Sequence, residues 1–219
     1  MSSERILLID SSTSVLRVGL ADAAGKIFSA ENRDRFRHAE FIIGLIDRLL
    51  RENGVAKREL SRIIVSTGPG SFTGLRVGLA AAKGLAQALK IPVAGVSIFE
   101  AASPRLSRTV GRAAVLIRSR REQFYSGLVD SPQFDNRMIE LIDISEITSR
   151  FQGIPLLLVD MPDFPSIPGL RLIKPEEFTL GHEDFLALGR ERLIETGHDN
   201  LASLEPLYIQ QFPAGRANE

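Results

Sequence analysis

Two stretches of the chain, offset by 108 residues, resemble each other. Aligning Ile6–Asp22 with Ala114–Asp130 without gaps places identical residues at six of seventeen positions. The offset is close to half of the 219 residues, as duplication of a domain predicts. Chance similarity between two strand–turn–strand units is the alternative, but the succession of predicted elements also repeats and favours duplication. We therefore expect two related domains, residues 1–103 and 104–219, and the C-terminal tail is a candidate to pack back on the first.

The first half combines short strands with two helices. Tight connections join the first three strands, so these are predicted to be antiparallel, and the later strands alternate with helices, as in parallel βαβ units. Apolar residues recur at helical spacing from Phe41 to Leu50, and an alanine-rich helix is predicted from Gly74 to Leu89. The predicted strands are Arg5–Asp10, Arg17–Asp22, Lys26–Ala30, Arg62–Thr67 and Ile91–Val96.

The second half begins with the repeated strand pair and continues in the same manner. Its further predicted elements are a strand at Met138–Ile142, a helix at Ser145–Phe151, a strand at Ile154–Asp160, a Pro-rich loop at Met161–Pro175 and a late helix at Glu183–Glu195. The fold class predicted for the whole chain is α/β. Each lobe is expected to be a ribonuclease-H-like mixed β-sheet with flanking helices, in the two-lobed ASKHA arrangement of actin, Hsp70 and sugar kinases.

Composition excludes several kinds of site. The chain has no cysteine, which excludes disulfides, Cys-ligated zinc and a thiol nucleophile. Its three histidines, His38, His182 and His198, show no HxxxH or HExxH spacing. We therefore predict no metal site and no catalytic residue. The apolar runs are shorter than a membrane span and the start lacks signal-peptide features, so we expect a cytoplasmic protein without membrane contact.

The zero net charge is a cancellation. Residues 1–104 carry 14 basic and 10 acidic side chains, and the rest of the chain has the opposite excess. Six arginines and no acid fall between Arg105 and Arg121. This cluster is a candidate surface for contact with a nucleic acid or a protein. Nearby Phe124 and Tyr125 could stack on bases, although strand packing explains them better.

The strongest local motif is GPGSFTGLRVG at Gly68–Gly78, between a predicted strand and a helix. Backbone N–H groups at such a position can bind anions. The motif fits neither a P-loop nor a dinucleotide-binding fingerprint, because Thr73 stands where each needs a glycine. From the glycine spacing alone, we favour a tight turn followed by close helix packing at Gly78, Ala82 and Gly84.

A second motif, IDSST at Ile9–Thr13, follows the first strand. ASKHA ATPases hold phosphate and metal at such a hairpin, whereas the alternative is a polar turn bonded to its own backbone. The matching second-lobe position is Arg118, which cannot bind Mg²⁺ or act as a base, so ATP hydrolysis is not expected. His38 and His182 are predicted to be surface or capping residues. The candidate nucleotide-binding residues are Asp10, Ser11, Ser12, Thr13, Gly68, Gly70 and Ser71.

These motifs resemble the TsaB family of bacterial tRNA threonylcarbamoyladenosine biosynthesis proteins. The resemblance rests on the glycine motif and on IDSST, HAEFIIGLIDRLL at His38–Leu50, VSIFEAAS at Val96–Ser103, SRREQFY at Ser119–Tyr125 and PLYIQ at Pro206–Gln210. It covers nearly the whole chain. The chain departs from the family pattern at Arg118, where the family has an acid, and at Gln210, where it has arginine.

The resemblance implies a non-catalytic subunit. Such proteins pair with a catalytic TsaD-type subunit, joined by a TsaE-type ATPase, and the complex modifies adenosine 37 of tRNAs that read ANN codons. It also implies tRNA contact through the complex, homodimers of the isolated chain, and possible ATP or ADP at the complex interface. The implied partner-binding residues are Phe41, Leu45, Arg76, Gly78, Ala81, Ala82 and Leu85. The rival hypotheses are a stand-alone ASKHA-type ATPase or small-molecule kinase that uses Asp10, and a stand-alone RNA-binding protein.

Overall fold

The computed structural model describes residues 4–22, 24–34, 37–120, 122–197, 199 and 201–209. Arg121, His198 and Gln210, which figure in the sequence analysis, lie outside this set. The first half contains the strands β1 Ile6–Asp10, β2 Leu16–Ala21, β3 Ile27–Asn32, β4 Arg62–Gly68 and β5 Val93–Ser97, and the helices α1 His38–Glu52, α2 Phe72–Leu89 and α3 Ile98–Thr109.

The second half contains the strands β6 Ala113–Arg120, β7 Gln123–Val129, β8 Glu140–Asp143 and β9 Leu156–Val159, and the helices α4 Ile144–Phe151 and α5 His182–Thr196. Every strand predicted from the sequence is present, with ends shifted by a few residues. The Pro-rich segment that follows β9 is a loop, as predicted.

Two mixed sheets form the framework. The first has the strand order β3-β2-β1-β4-β5, in which β1 pairs antiparallel with β2 and parallel with β4. The second has the order β8-β7-β6-β9, with β6 in the place of β1. The described part of the second sheet therefore repeats the first four strands of the first sheet. This topology confirms the predicted two-lobed α/β fold.

Helices cover both faces of the first sheet. The side chains of α1 and α2 pack on its outer face, where Leu7, Ile46 and Leu79 belong to one buried cluster. The helices α3 and α5 lie between the two sheets, in a cluster that joins Leu8 of β1 to Val115 of β6. The outer face of the second sheet is covered by α4 and by the loop after β9.

The helix α3 was not predicted. Ser97 caps it by accepting a hydrogen bond from the Glu100 amide at 3.1 Å, and the Glu100 carboxylate accepts one from the Ser97 amide at 2.9 Å. This capping box is legible in the sequence. Ser103 and Pro104, where the domain boundary was expected, lie inside α3.

The ungapped 108-residue offset cannot hold through both repeated strands. Leu8 pairs with Gly19 across β1 and β2. Its counterpart Leu116 pairs with Ser126, and Gly127 pairs with Val115 instead. The second hairpin is therefore shorter by one residue, and the structural repeat needs a gap that the sequence comparison did not include.

No helix in the described part of the chain is both long enough and apolar enough to cross a membrane.

Candidate functional site

The polar hairpin follows β1 and is buried. Asp10, Ser11, Ser12 and Thr13 are each at most 6% exposed. The Asp10 carboxylate oxygen Oδ1 accepts hydrogen bonds from the Ser12 amide at 3.1 Å and from the Ser12 hydroxyl at 2.5 Å. The segment is therefore a polar turn whose side chains form hydrogen bonds within the turn, which is one of the two alternatives for this motif.

Arg17 compensates the charge of Asp10. Its Nη1 atom lies 3.8 Å from Asp10 Oδ2 and donates a hydrogen bond to Thr13 Oγ1 at 3.3 Å. Arg17 leaves β2 beside Glu31 of β3, its neighbour in the antiparallel register. The Asp10 carboxylate therefore has a cationic side chain of the same chain beside it.

Three glycines of the motif allow the hairpin to approach α2. A Cβ atom at Gly70 would collide with the carbonyl oxygen of Ser12, one at Gly74 with that of Ser11, and one at Gly78 with the Ser11 hydroxyl. That hydroxyl donates a hydrogen bond to the Gly74 carbonyl at 2.7 Å. The glycine motif is therefore a packing motif, as the favoured interpretation predicted for Gly78, whereas Gly84 is exposed and has no atom within 4 Å of an added Cβ.

Four backbone amides around the hairpin already have acceptors. The Ser12 amide donates to Asp10, and the Ser71 amide donates to the Ser12 carbonyl at 2.7 Å. The Gly74 amide donates to its N-cap, Ser71 Oγ, at 3.2 Å, and the Ser14 amide to Asp160 Oδ2 at 2.5 Å. Gly68 completes the turn with φ +92°, a left-handed conformation that favours glycine.

A cleft of about 700 Å³ separates this hairpin from the second sheet. Arg118, Ser119 and Arg120 line its far wall, and Asp160 and Asp163 lie beside the loop after β9. At the position that matches Asp10 the second lobe has Arg118, but the lobe does present carboxylates at another strand end. Asp160 directly follows a buried strand in the sequence, and this position could have identified it as a candidate site residue.

A smaller cavity of about 310 Å³, which we call the inner cavity, adjoins the cleft on the inner face of the first sheet. Asp10, Arg17, Glu31 and His182 contribute polar groups to it. His182 is the first residue of α5 and is only half-exposed. Burial lowers the pKa of its imidazole below the ordinary 6.5, although the charge of Asp10 acts to raise that pKa.

Both histidines lie at the start of a helix, but the surface location predicted for His38 is wrong. His38 begins α1, as expected, but is 5% exposed, with its Nε2 atom 3.4 Å from the Ser14 carbonyl oxygen. His182 packs against Gly19, where an added Cβ would lie 2.8 Å from its ring. Helix position was legible in the sequence, whereas burial depends on the second lobe and on β2.

Three of the predicted partner-binding residues are inaccessible. Leu45 and Ala82 are 6% and 0% exposed, and the space beside Gly78 is filled by Ser11. The side chain of Arg76 is exposed, and Phe41, Ala81 and Leu85 are half-buried. Because α1 and α2 contact each other over the same sheet, their outer sides form one surface, the helical face. Its exposed residues include Ile43, Gly44, Arg76, Ala80 and Gly84.

An aromatic cluster lies at the edge of the helical face beside the cleft. Phe72 and Tyr208 have ring centroids 5.7 Å apart and are 55% and 41% exposed. The Arg76 guanidinium lies 3.8 Å from the Phe72 centroid and donates to the Tyr208 hydroxyl at 3.1 Å. The C-terminal segment is therefore joined to the start of α2.

The arginine cluster divides by location. Arg105, with its side chain 32% exposed, is paired within the chain: its guanidinium donates to both carboxylate oxygens of Asp184 at 2.7 Å and lies 4.1 Å from the centre of the Phe178 ring. Arg118 and Arg120 are exposed in the cleft. The interpretation of the whole cluster as one nucleic-acid surface therefore fails at Arg105. Among the described residues, no group of three or more acidic or histidine side chains is placed to hold a metal ion.

Several of the known proteins that are similar to this chain are named for the same tRNA modification. A family model described as TsaD, tRNA N6-adenosine threonylcarbamoyltransferase, matches residues 34–138. The tRNA threonylcarbamoyladenosine biosynthesis protein TsaB of Bacillus subtilis is 32% identical over 137 residues, which cover 63% of this chain and 58% of that protein. The TsaB protein of Escherichia coli is 31% identical over 112 residues, covering 51% and 48%. The chain thus spans about half of each relative's length.

A solved structure shares the fold over a longer range. YeaZ from Pseudomonas aeruginosa superposes with a TM-score of 0.69 at 24% sequence identity. The superposition covers 94% of this chain and 100% of that one. The arrangement of two sheets with a helical layer between them is therefore found in an experimentally determined structure.

Proposed function

We propose that the chain is a member of the TsaB family and the non-catalytic subunit of a complex that installs N6-threonylcarbamoyladenosine in tRNA. In this role it supports a TsaD-type transferase, and it acts in the cytoplasm. The modification is the one that the names of the TsaB proteins similar to it give.

One observation carries the non-catalytic part of the proposal: the hairpin and glycine motif are bonded to each other. Ser12, Ser14, Ser71 and Gly74 each donate a backbone N–H within the chain. Phosphate binding at a hairpin or helix start needs such N–H groups to point at the ligand. A loop that uses them internally supports packing more than phosphoryl transfer.

The helical face is the proposed surface for the TsaD-type subunit. Its exposed residues Gly44 and Gly84 have no atom within 4 Å of an added Cβ, and Ile43 is 48% exposed. Small side chains allow two helices to approach closely, and an exposed isoleucine adds apolar area to an interface. The same face is proposed to form homodimers when the chain is alone.

The remaining partners follow from the family resemblance. We include a TsaE-type ATPase and tRNA as members of the assembly, with tRNA reached through the complex. ATP or ADP is proposed to bind only at the interface of the assembled complex. The cleft supports this last point, because Arg118 and Arg120 present positive charge opposite the hairpin.

Depletion followed by complementation tests the proposal. The threonylcarbamoyladenosine content of tRNA, measured by mass spectrometry, should fall on depletion and return with the wild-type chain. Ala80→Arg, on the helical face, should neither restore it nor co-purify the TsaD-type subunit. Ala187→Arg is the matched control, since Ala187 is also an exposed helical alanine but lies on α5. An unchanged modification level after depletion would refute the function, and equal behaviour of the two variants would refute the surface.

The rival hypotheses predict different results for the isolated chain. An ATPase or small-molecule kinase would turn over Mg-ATP and lose this activity in Asp10→Ala. A stand-alone RNA-binding protein would bind tRNA without a partner, with an affinity that falls steeply as salt rises. We expect neither turnover nor partner-free binding of tRNA.

A further inference from the structure

The inner cavity has an apolar floor and a polar mouth. Leu8 and Ile98 are 0% and 1% exposed, and Leu157, Phe178 and Phe185 extend the floor between the two sheets. Arg17 and Glu31, whose side chains are 33% and 45% exposed, lie at the mouth. A volume of about 310 Å³ is at the lower end of the range for pockets that bind small organic molecules.

One polar atom of this cavity lacks a partner. The Nε2 atom of His182 is buried, and no described residue forms a hydrogen bond with it. Buried polar atoms are nearly always paired, because an unpaired one loses its contact with water without compensation. The lowered pKa keeps the imidazole neutral near pH 7, so Nε2 can accept a hydrogen bond when the proton is on Nδ1.

The charged side chains around the cavity determine which charge a bound molecule should carry. Asp10, Glu31 and Asp160 contribute carboxylates, and Arg17 is the cationic side chain among the described residues that line the space. Arg17 lies 3.8 Å from Asp10 Oδ2 and Arg33 lies 2.8 Å from Glu31 Oε1, so two arginines face the three carboxylates and one negative charge remains. A small hydrated ion would gain nothing from the apolar floor, whereas an organic cation would use both regions.

We propose that the inner cavity binds a small organic amine. Its protonated amino group would lie at the mouth among Asp10, Glu31 and His182. Nε2 has no surface open to the cavity, so a rotation of the imidazole would bring this atom to accept one N–H. Its apolar body would contact Leu8, Phe178 and the rest of the floor. The site is separate from the helical face, and the proposal does not depend on the role in tRNA modification.

Binding of 2-phenylethylamine to the full chain, measured by calorimetry, tests this proposal. Two matched probes keep the phenyl body and change the head: 2-phenylethanol is neutral and 3-phenylpropionate is an anion. We expect saturable one-to-one binding of the amine, and binding at least about tenfold weaker for both other probes, since a charge-assisted hydrogen bond is worth this much. The amine should also shift the imidazole NMR signals of His182 and leave those of His38 unchanged.

Substitutions then locate the bound amine. Glu31→Gln and His182→Phe should each weaken amine binding severalfold or more. Glu40→Gln is the matched control, because Glu40, like Glu31, pairs with a nearby arginine on the surface but lies on α1. The proposal is refuted by absence of saturable amine binding, by equal binding of the carboxylate, or by equal affinities of Glu31→Gln and Glu40→Gln when both are folded.

Discussion

The role of Gly78 in packing can be tested with two alanine substitutions in the same helix. Gly78 and Gly84 both lie inside α2. Gly78 is buried against Ser11, whereas Gly84 is exposed and has no atom within 4 Å of an added Cβ. Alanine favours the helix over glycine equally at both sites, by about 1 kcal/mol. Any difference between the two variants therefore measures the contact with the hairpin.

The structure allows the size of that difference to be estimated. The new methyl group at position 78 would overlap the Ser11 hydroxyl and lie 3.2 Å from Ser11 Cβ. Rotating the hydroxyl away would break its 2.7 Å bond to the Gly74 carbonyl in a site that is 1% exposed. Overpacking costs about 1–3 kcal/mol and an unpaired buried hydroxyl about as much again. We expect Gly78→Ala to destabilise the chain by about 2–4 kcal/mol and Gly84→Ala to stabilise it by up to about 1 kcal/mol.

Urea unfolding of both variants measures these changes. A second substitution identifies the cause: in a Ser11→Gly background, which removes the colliding atoms, Gly78→Ala should cost at least about 1 kcal/mol less than in the wild type. A Gly78→Ala chain as stable as Gly84→Ala would refute the packing explanation of the motif. Equal costs in the two backgrounds would show that Ser11 is not the obstacle.

Two further predictions concern charges. Burial lowers the pKa of His182 in the folded chain, so as the pH falls this imidazole is protonated in the unfolded chain before it is protonated in the folded one. The contribution of the neutral imidazole to the unfolding free energy is therefore complete above pH 6.5 and is lost as the pH falls below that value. Between about pH 7.5 and about pH 5.5, wild-type unfolding free energy should fall more than that of His182→Gln, and parallel curves would contradict this. Arg105→Gln leaves Asp184, whose side chain is 3% exposed, without its charged partner; we expect a loss of about 2–4 kcal/mol in denaturant unfolding. Arg137→Gln is its control, because the Arg137 side chain is 89% exposed, and it should change the stability far less.

The order of strands and most helices follows from local sequence patterns. Alternation and β-branched residues identify each strand of the first sheet, and helical periodicity identifies α1. The short connections between the first three strands predict the antiparallel part of the sheet. The helix α3 is not expected from the sequence if Pro104 is read as a domain boundary, although the capping box of Ser97 and Glu100 marks the start of this helix. The packing of α5 against β1, β4 and β5 has no local signal, since it depends on contacts between distant parts of the chain.

The candidate site was only partly predictable for the same reason. The hairpin and the glycine motif are continuous in sequence, so their residues could be identified, but which side of each glycine faces the hairpin could not. Ser14 and Asp160 are 146 residues apart and meet only in the folded chain. The burial of His182 and the loss of Gly78 and Ala82 from the surface likewise arise from packing between elements.

The internal hydrogen bonds of the hairpin set a quantitative limit on phosphate binding. If a nucleotide displaced the acceptors of the Ser12, Ser14, Ser71 and Gly74 amides, four bonds worth about 0.5–1.5 kcal/mol each would have to be broken first. A total near 4 kcal/mol lowers affinity by about a thousandfold relative to a loop with free amides. A nucleotide can avoid this loss by using the opposite wall, where Arg118 and Arg120 are exposed, together with groups from another subunit. The hairpin is thus stabilised against opening, and under the proposed function any nucleotide in the complex should depend on the partner.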